Sequence, residues 1–199
     1  MKRLAYSVLV LGLLQTTVAQ AQSPSFSYTN LGFVYGSTDF DNLADDFRTM
    51  AISGSFELSD RVFLHGQYST FDKNDVFGAD FDSSLTYLGA GFVMPMGSGM
   101  DLFASLDYVI TEAEGCTSSV CRKEDDNGIS VGFGTNYWAI PNQLDVTFDL
   151  NYVTFDKSDD ATAYGIGMGY WFTKEHRVGM AYRKADSSDS MLVNYRYSM

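Results

Sequence analysis

The sequence predicts an all-β chain: an up-and-down antiparallel transmembrane β-barrel of ten strands, with eight strands as the alternative count. Three observations carry this expectation. Segments of about ten to twelve residues alternate apolar and polar side chains, as a tilted strand crossing a hydrocarbon layer requires. Short, turn-forming connections between them alternate with longer acidic ones. Aromatic residues gather at both ends of the apolar faces, where interfacial girdles sit.

Residues 144–152, Leu-Asp-Val-Thr-Phe-Asp-Leu-Asn-Tyr, set the pattern. Leu144, Val146, Phe148, Leu150 and Tyr152 fall on one parity and Asp145, Thr147, Asp149 and Asn151 on the other, so an extended chain sorts them onto opposite faces. In water the oily face would have to cover a core. In a membrane it faces lipid and the polar face lines the inside.

Taken in order, the chain opens on Lys2 and Arg3, an apolar run from about Leu4 to Leu14, and Ala19-Gln20-Ala21. This is the form of a secretory signal peptide over residues 1–21, cleaved after Ala21, which leaves a barrel domain over 22–199. No later stretch has eighteen uninterrupted apolar residues, so a helical membrane protein is excluded. Removal of Lys2 and Arg3 takes the formal charge from −12 to −14, with 11 basic against 25 acidic residues. Such a balance disfavours nucleic acid as a partner, because phosphates attract the opposite sign.

The ten segments fall near 26–36, 47–58, 61–71, 84–95, 100–111, 128–139, 144–155, 162–172, 176–185 and 191–199. Parity is clean in the fifth to the tenth and poor in the first, second and fourth. Leu58-Ser59-Asp60, residues 96–99, 140–143 and 173–176 supply short turns. Residues 37–46, 72–82 and 112–127 read as long acidic loops, and with 156–160 and 186–189 the long connections hold 18 of the 25 acids. A hairpin repeat is visible, since Gln67-Tyr68-Ser69-Thr70-Phe71-Asp72-Lys73 recurs as Asn151-Tyr152-Val153-Thr154-Phe155-Asp156-Lys157.

The signal peptide, the hairpin period, the run Tyr164-Gly165-Ile166-Gly167-Met168-Gly169-Tyr170 and the alternating last strand resemble the small outer-membrane β-barrel proteins of Gram-negative bacteria. That broad porin-like family includes opacity-type and OmpA-like barrels. The resemblance covers Ser25 to Met199. It implies residence in the cell outer membrane and an assembly signal in Met191–Met199, read by the outer-membrane insertion machinery. Outer-membrane lipid and lipopolysaccharide are the surrounding partners. Divalent cations shared between loop carboxylates and lipopolysaccharide phosphates are a further expectation.

Cys116 and Cys121, with four residues between them in the longest loop of an exported chain, are expected to form a disulfide. Asp72-Lys73-Asn74-Asp75 lacks calcium-loop spacing, because Val76 takes the fifth position and no carboxylate stands at the twelfth. No cofactor or metal site is expected. His65 and His176 are the only histidines, and no nucleophile motif accompanies them, so an enzyme is not expected. His65 near Ser69 nevertheless leaves a lipid-active or proteolytic barrel as one alternative, and a soluble periplasmic ligand-binding barrel as another. Asp107 and Asp149 facing Arg183 and Arg196, with His65 on the same face, are expected to form a polar network in the lumen, since charges removed from water persist when paired. Glycines on that face leave room for bulky neighbours or for a thin water path. The leading functional expectation is a structural or surface-interaction barrel, with at most a small porin-like conductance.

Overall fold

Ten strands follow one another around a closed ring: β1 (Asn30–Phe40), β2 (Phe47–Ser59), β3 (Val62–Val76), β4 (Ala79–Pro95), β5 (Met100–Thr117), β6 (Cys121–Ile140), β7 (Leu144–Phe155), β8 (Ala161–Trp171), β9 (His176–Ala185) and β10 (Ser188–Ser198). Each pairs antiparallel with its sequence neighbours, and β1 pairs with β10 from Asn30↔Ser198 to Phe40↔Ser188, so no strand is left without a partner. The computed structural model describes residues 26–41, 46–76, 79–97, 99–117 and 121–199. The expected signal peptide and its cleavage point lie outside the described residues.

Alternation decides which way the sheet faces. Phe148, Leu150 and Tyr152 of β7 point outward at 45%, 41% and 47% exposure, while Asp145, of the opposite parity on the same strand, is 1% exposed and faces inward. The same sorting holds on every strand, including the three whose parity was poorly legible: Leu31, Phe33 and Tyr35, then Ile52, Phe56 and Leu58, then Leu88 and Phe92, are exposed. An oily exterior around a buried polar interior inverts a water-soluble protein, so the soluble barrel is set aside. A hydrocarbon layer offers backbone groups no water, and only closure satisfies them all.

Four tight turns join strands at the end where β1 begins and β10 finishes. Gly97 and Gly99 take φ of 73° and 79° between β4 and β5, and Asn142 takes 59° between β6 and β7, conformations that glycine and asparagine accept most readily. Two expectations are corrected at the other end. Residues 72–82 and 112–127 are not long loops, because β3 and β4 continue to Val76 and from Ala79, and β5 and β6 to Thr117 and from Cys121. Above a membrane neither face must be apolar, so charged residues continue the ladder and pair across it, as Lys123 Nζ does with Glu112 Oε2 at 3.1 Å. The first strand begins at Asn30 rather than 26, because its register partner β10 ends at Ser198.

Leu106, 60% exposed, lies midway along the outward row of β5 that runs from Leu102 to Ile110. Leu106→Arg is expected to destabilise the barrel by about 2–4 kcal/mol, read as a lowered urea midpoint for folding in lipid vesicles.

Candidate functional site

Two regions are built from side chains the alternation turns away from lipid: the lumen, and the wall that stands above the apolar band.

The lumen is stacked in tiers. At the turn end the segment before β1 folds under the mouth. Phe26 stacks on Trp138 with ring centroids 4.6 Å apart, Trp138 meets Trp171 at 5.7 Å, and Tyr28 stacks on Phe63 at 4.9 Å. The Tyr28 hydroxyl donates to Asp101 Oδ2 at 3.2 Å and accepts from Asn136 Nδ2 at 3.0 Å. Burial, and then the neighbouring Asp101 charge, raise the phenol well above its ordinary range and keep it protonated. Beside this plug Arg177 forks onto Asp145, with Nε to Oδ2 at 2.7 Å and Nη2 to Oδ1 at 2.6 Å, and donates from Nη1 to Asn194 Oδ1 at 2.5 Å. Trp171 Nε1 donates to the same carboxylate, leaving Asp145 fully enclosed.

In the middle tier Arg183 Nη2 reaches Asp149 Oδ2 at 3.1 Å, and Asn151 Nδ2 donates to that oxygen at 3.1 Å. His65 Nε2 lies 2.8 Å from Asp107 Oδ1. That contact is a close approach rather than a directed hydrogen bond, because neither atom has an aligned partner. Ser105 Oγ donates to Asp107 Oδ2 at 3.0 Å. Toward the loop end Val109, Ser130 and Thr38 are 0%, 0% and 1% exposed, and Thr38 shares hydrogen bonds with Thr49 and Ser190. Phe40, Phe47 and Phe71 close the tier above, edge to face at 5.0 and 6.2 Å.

The inward glycines take the first of their two expected roles. A Cβ on Gly169 would stand 2.0 Å from Arg177 Nε, one on Gly165 2.7 Å from Asp149 Oδ1, and one on Gly89 2.1 Å from Asp107 Oδ1. They are sockets for neighbouring side chains.

All five residues of the expected network face inward, but they do not meet as one cluster. Asp149 has Arg183, whereas Asp107 has His65 rather than an arginine. Among the described residues Arg196 forms no ion pair; its surroundings are Arg177, Asp145 and Tyr28. The most enclosed pair, Asp145 with Arg177, was visible in the sequence only as two inward charges. Strand parity gives a residue's face and not its height, and the pairing depends on the offset that sets Asp145 opposite Gly169. The Tyr28 contribution had no sequence signal, because residues 26–29 read as strand.

The wall is made of β3 to β6. The outward row of β5 changes from Leu106, Tyr108 and Ile110 to Glu112 and Glu114, and that of β6 from Ile129 to Asp125 and Lys123. Cys116 and Cys121 sit directly opposite in the ladder, with Cα atoms 4.1 Å apart, and are joined as a disulfide at the top. Lys157 of the β7–β8 loop pairs with Asp125, and the backbone N–H groups of Asn127, Lys157 and Ser158 close on the Asp126 carboxylate.

An oily belt, a charge-balanced filling and a polar wall define a membrane-spanning barrel of the bacterial outer-membrane type. The chain belongs to the outer membrane protein beta-barrel domain family, whose model matches residues 6–191. No curated protein matches it by sequence. Among solved structures it is similar to the beta domain of the Bordetella autotransporter BrkA, at 12% identity and TM-score 0.53, covering 87% of this chain and 100% of that one. The N-terminal β-barrel domain of Pseudomonas aeruginosa OprF aligns at 13% identity and TM-score 0.49 over 86% of this chain and 100% of that one. The attachment invasion locus protein Ail of Yersinia pestis aligns at 13% identity and TM-score 0.47, over 86% and 97%. The likeness to the BrkA beta domain speaks to the fold alone.

Arg177→Met leaves an uncompensated charge in the tightest tier and is expected to cost about 3–5 kcal/mol. Adding Asp145→Leu to it is expected to restore most of that loss, read by chemical denaturation of the reconstituted barrel.

Proposed function

We propose that this chain is a filled, non-conducting outer-membrane barrel whose role is to hold the β3–β6 wall out from the cell surface as an interaction platform. The observation that carries the reading is the uneven rim. β4, β5 and β6 run 17, 18 and 20 residues, whereas β7 to β10 run 12, 11, 10 and 11. A strand needs roughly 9–11 residues to cross the hydrocarbon layer, so the surplus on one side serves something other than spanning. Residues 112–117 of β5 alone add about 20 Å along the strand at roughly 3.3 Å per residue. With short turns on the periplasmic side, as outer-membrane barrels have them, the wall faces outward.

A conducting role is disfavoured by the tier of Val109, Ser130 and Thr38, which is closed to solvent, and by aromatic packing at both mouths. A catalytic role is disfavoured by the order of contacts around His65. Nucleophile activation needs a base between hydroxyl and carboxylate, whereas here Asp107 stands between Ser105 and His65, and Ser69 accepts from Gln67 Nε2 at 2.9 Å. The same reading sets lipopolysaccharide against the outward apolar face, with divalent cations bridging its phosphates to carboxylates such as Asp82 and Glu112 that stand just above it.

Two measurements test the platform. Purified barrel in planar bilayers is expected to give no stepwise conductance; regular ion-conducting steps would refute the filled lumen. Replacing residues 112–125 by Asn-Gly closes the β5–β6 hairpin between Thr111 and Asp126 with a two-residue turn. That variant is expected to keep the heat-modifiable gel mobility of a folded barrel and to lose attachment of expressing cells to surfaces or to other cells. Unchanged attachment would remove the platform role.

A further inference from the structure

Closure pairs every strand within the membrane, but the wall is not closed. β6 pairs with β5 as far as Cys121↔Cys116, yet with β7 only as far as Gly128↔Phe155. Above Asn127, whose carbonyl still accepts from Asp156 N, the β7 side of β6 is an edge.

The backbone groups on that edge follow from the ladder's alternation. Asn127 O accepts from Asp156 N at 2.8 Å and Asp125 O from Lys157 Nζ at 2.7 Å, so odd-numbered residues of β6 aim their N–H and C=O away from β5. Lys123 is the next odd residue. Among the described residues its N–H and C=O, and the N–H of Asp125, meet no backbone partner on this side. Each is a strong hydrogen-bonding group held in strand geometry by the β5 ladder and the disulfide at its end.

Charge selects what an edge of this kind accepts. Residues 112–126 and 156–160 hold eight acids (Glu112, Glu114, Glu124, Asp125, Asp126, Asp156, Asp159, Asp160) against three bases (Arg122, Lys123, Lys157), a balance of 3 − 8 = −5. Lys123 and Lys157 are already spent on Glu112 and Asp125. Another copy of this acidic chain is repelled, which guards the edge against self-association. A segment of opposite sign is drawn to it.

We propose that the β7-facing edge of β6 at Lys123–Asp125 docks an extended cationic polypeptide segment as an added strand. The inference rests on the platform reading and names its partner class. Backbone hydrogen bonds to Lys123 and Asp125 hold the segment, and basic side chains on it answer the surrounding carboxylates. The pleat gives the arrangement a sharp signature. Lys123 N–H takes no part in the β5 ladder, so proline at 123 removes the docking donor without cutting a native backbone bond, and the Lys123–Glu112 ion pair it also removes is removed equally by alanine.

The test uses the whole barrel in zwitterionic detergent micelles and a blocked, fluorescein-labelled peptide alternating arginine with valine or threonine, read by anisotropy. Wild-type protein is expected to bind it with an affinity that falls as salt rises. Lys123→Pro is expected to weaken binding at least tenfold, while Lys123→Ala, which keeps the N–H, stays within threefold of wild type. Heat-modifiable mobility checks that the proline variant is folded. A second arm leaves the protein untouched: N-methylation of every other peptide residue is expected to weaken binding at least tenfold in one phase and little in the other, because an added strand bonds through alternate residues. Equal binding by the proline variant, or indifference to methylation phase, would show diffuse charge attraction only and overturn the proposal. Absence of binding to wild type would overturn it too. The shortened-wall attachment assay then reports separately whether the platform reading survives.

Discussion

A hydrocarbon layer offers no hydrogen bond to a peptide group, and everything else in this molecule follows from that constraint. Closure of β10 onto β1 satisfies the backbone. Closure in turn fixes which side chains meet lipid, since successive residues of a strand must face opposite ways. Charges such as Asp145 and Arg177 are thereby committed to a narrow interior, where they endure only as partners. Their fork, with Trp171 and Asn194 completing the carboxylate and the guanidinium, is the local answer to a demand set by the whole sheet.

The filling divides labour by height. Aromatic stacking of Phe26, Tyr28, Trp138 and Trp171 seals the turn end, polar pairs occupy the middle, and small or branched residues around Val109 close the path above them. The wall obeys other rules, because above the lipid water can solvate either face. There the ladder persists through cross-strand ion pairs and the disulfide rather than through burial. One sheet thus serves as a membrane anchor in its lower part and as an exposed surface in its upper part.

Period two is a strong signal, and it made the barrel, the ten strands and the inward face of His65, Asp107, Asp149, Arg183 and Arg196 legible from sequence. Height was not legible. Parity assigns Asp107 and Arg196 to one face but is silent on the strand offsets that give Asp107 to His65 and set Arg196 beside Arg177. The wall is illegible for a related reason. Acidic stretches look like loops when strands are recognised by an apolar face, and 112–117 and 121–127 lose that face where the membrane ends while keeping their ladder. Residues 26–29 differ the other way: Phe26 and Tyr28 alternate like a strand but lie before the ladder begins at Asn30, and their rings pack on Trp138 and Phe63.

The glycine sockets carry a consequence for how such a chain evolves. Because Gly169 yields its volume to Arg177, Gly165 to Asp149 and Gly89 to Asp107, neither member of a couple is free to drift alone. A methyl gained at one position has to coincide with a shorter side chain at its companion. Homologues are therefore expected to travel between lumen designs through concerted exchanges, leaving a record of covariation on the inner surface while the lipid-facing rows vary independently.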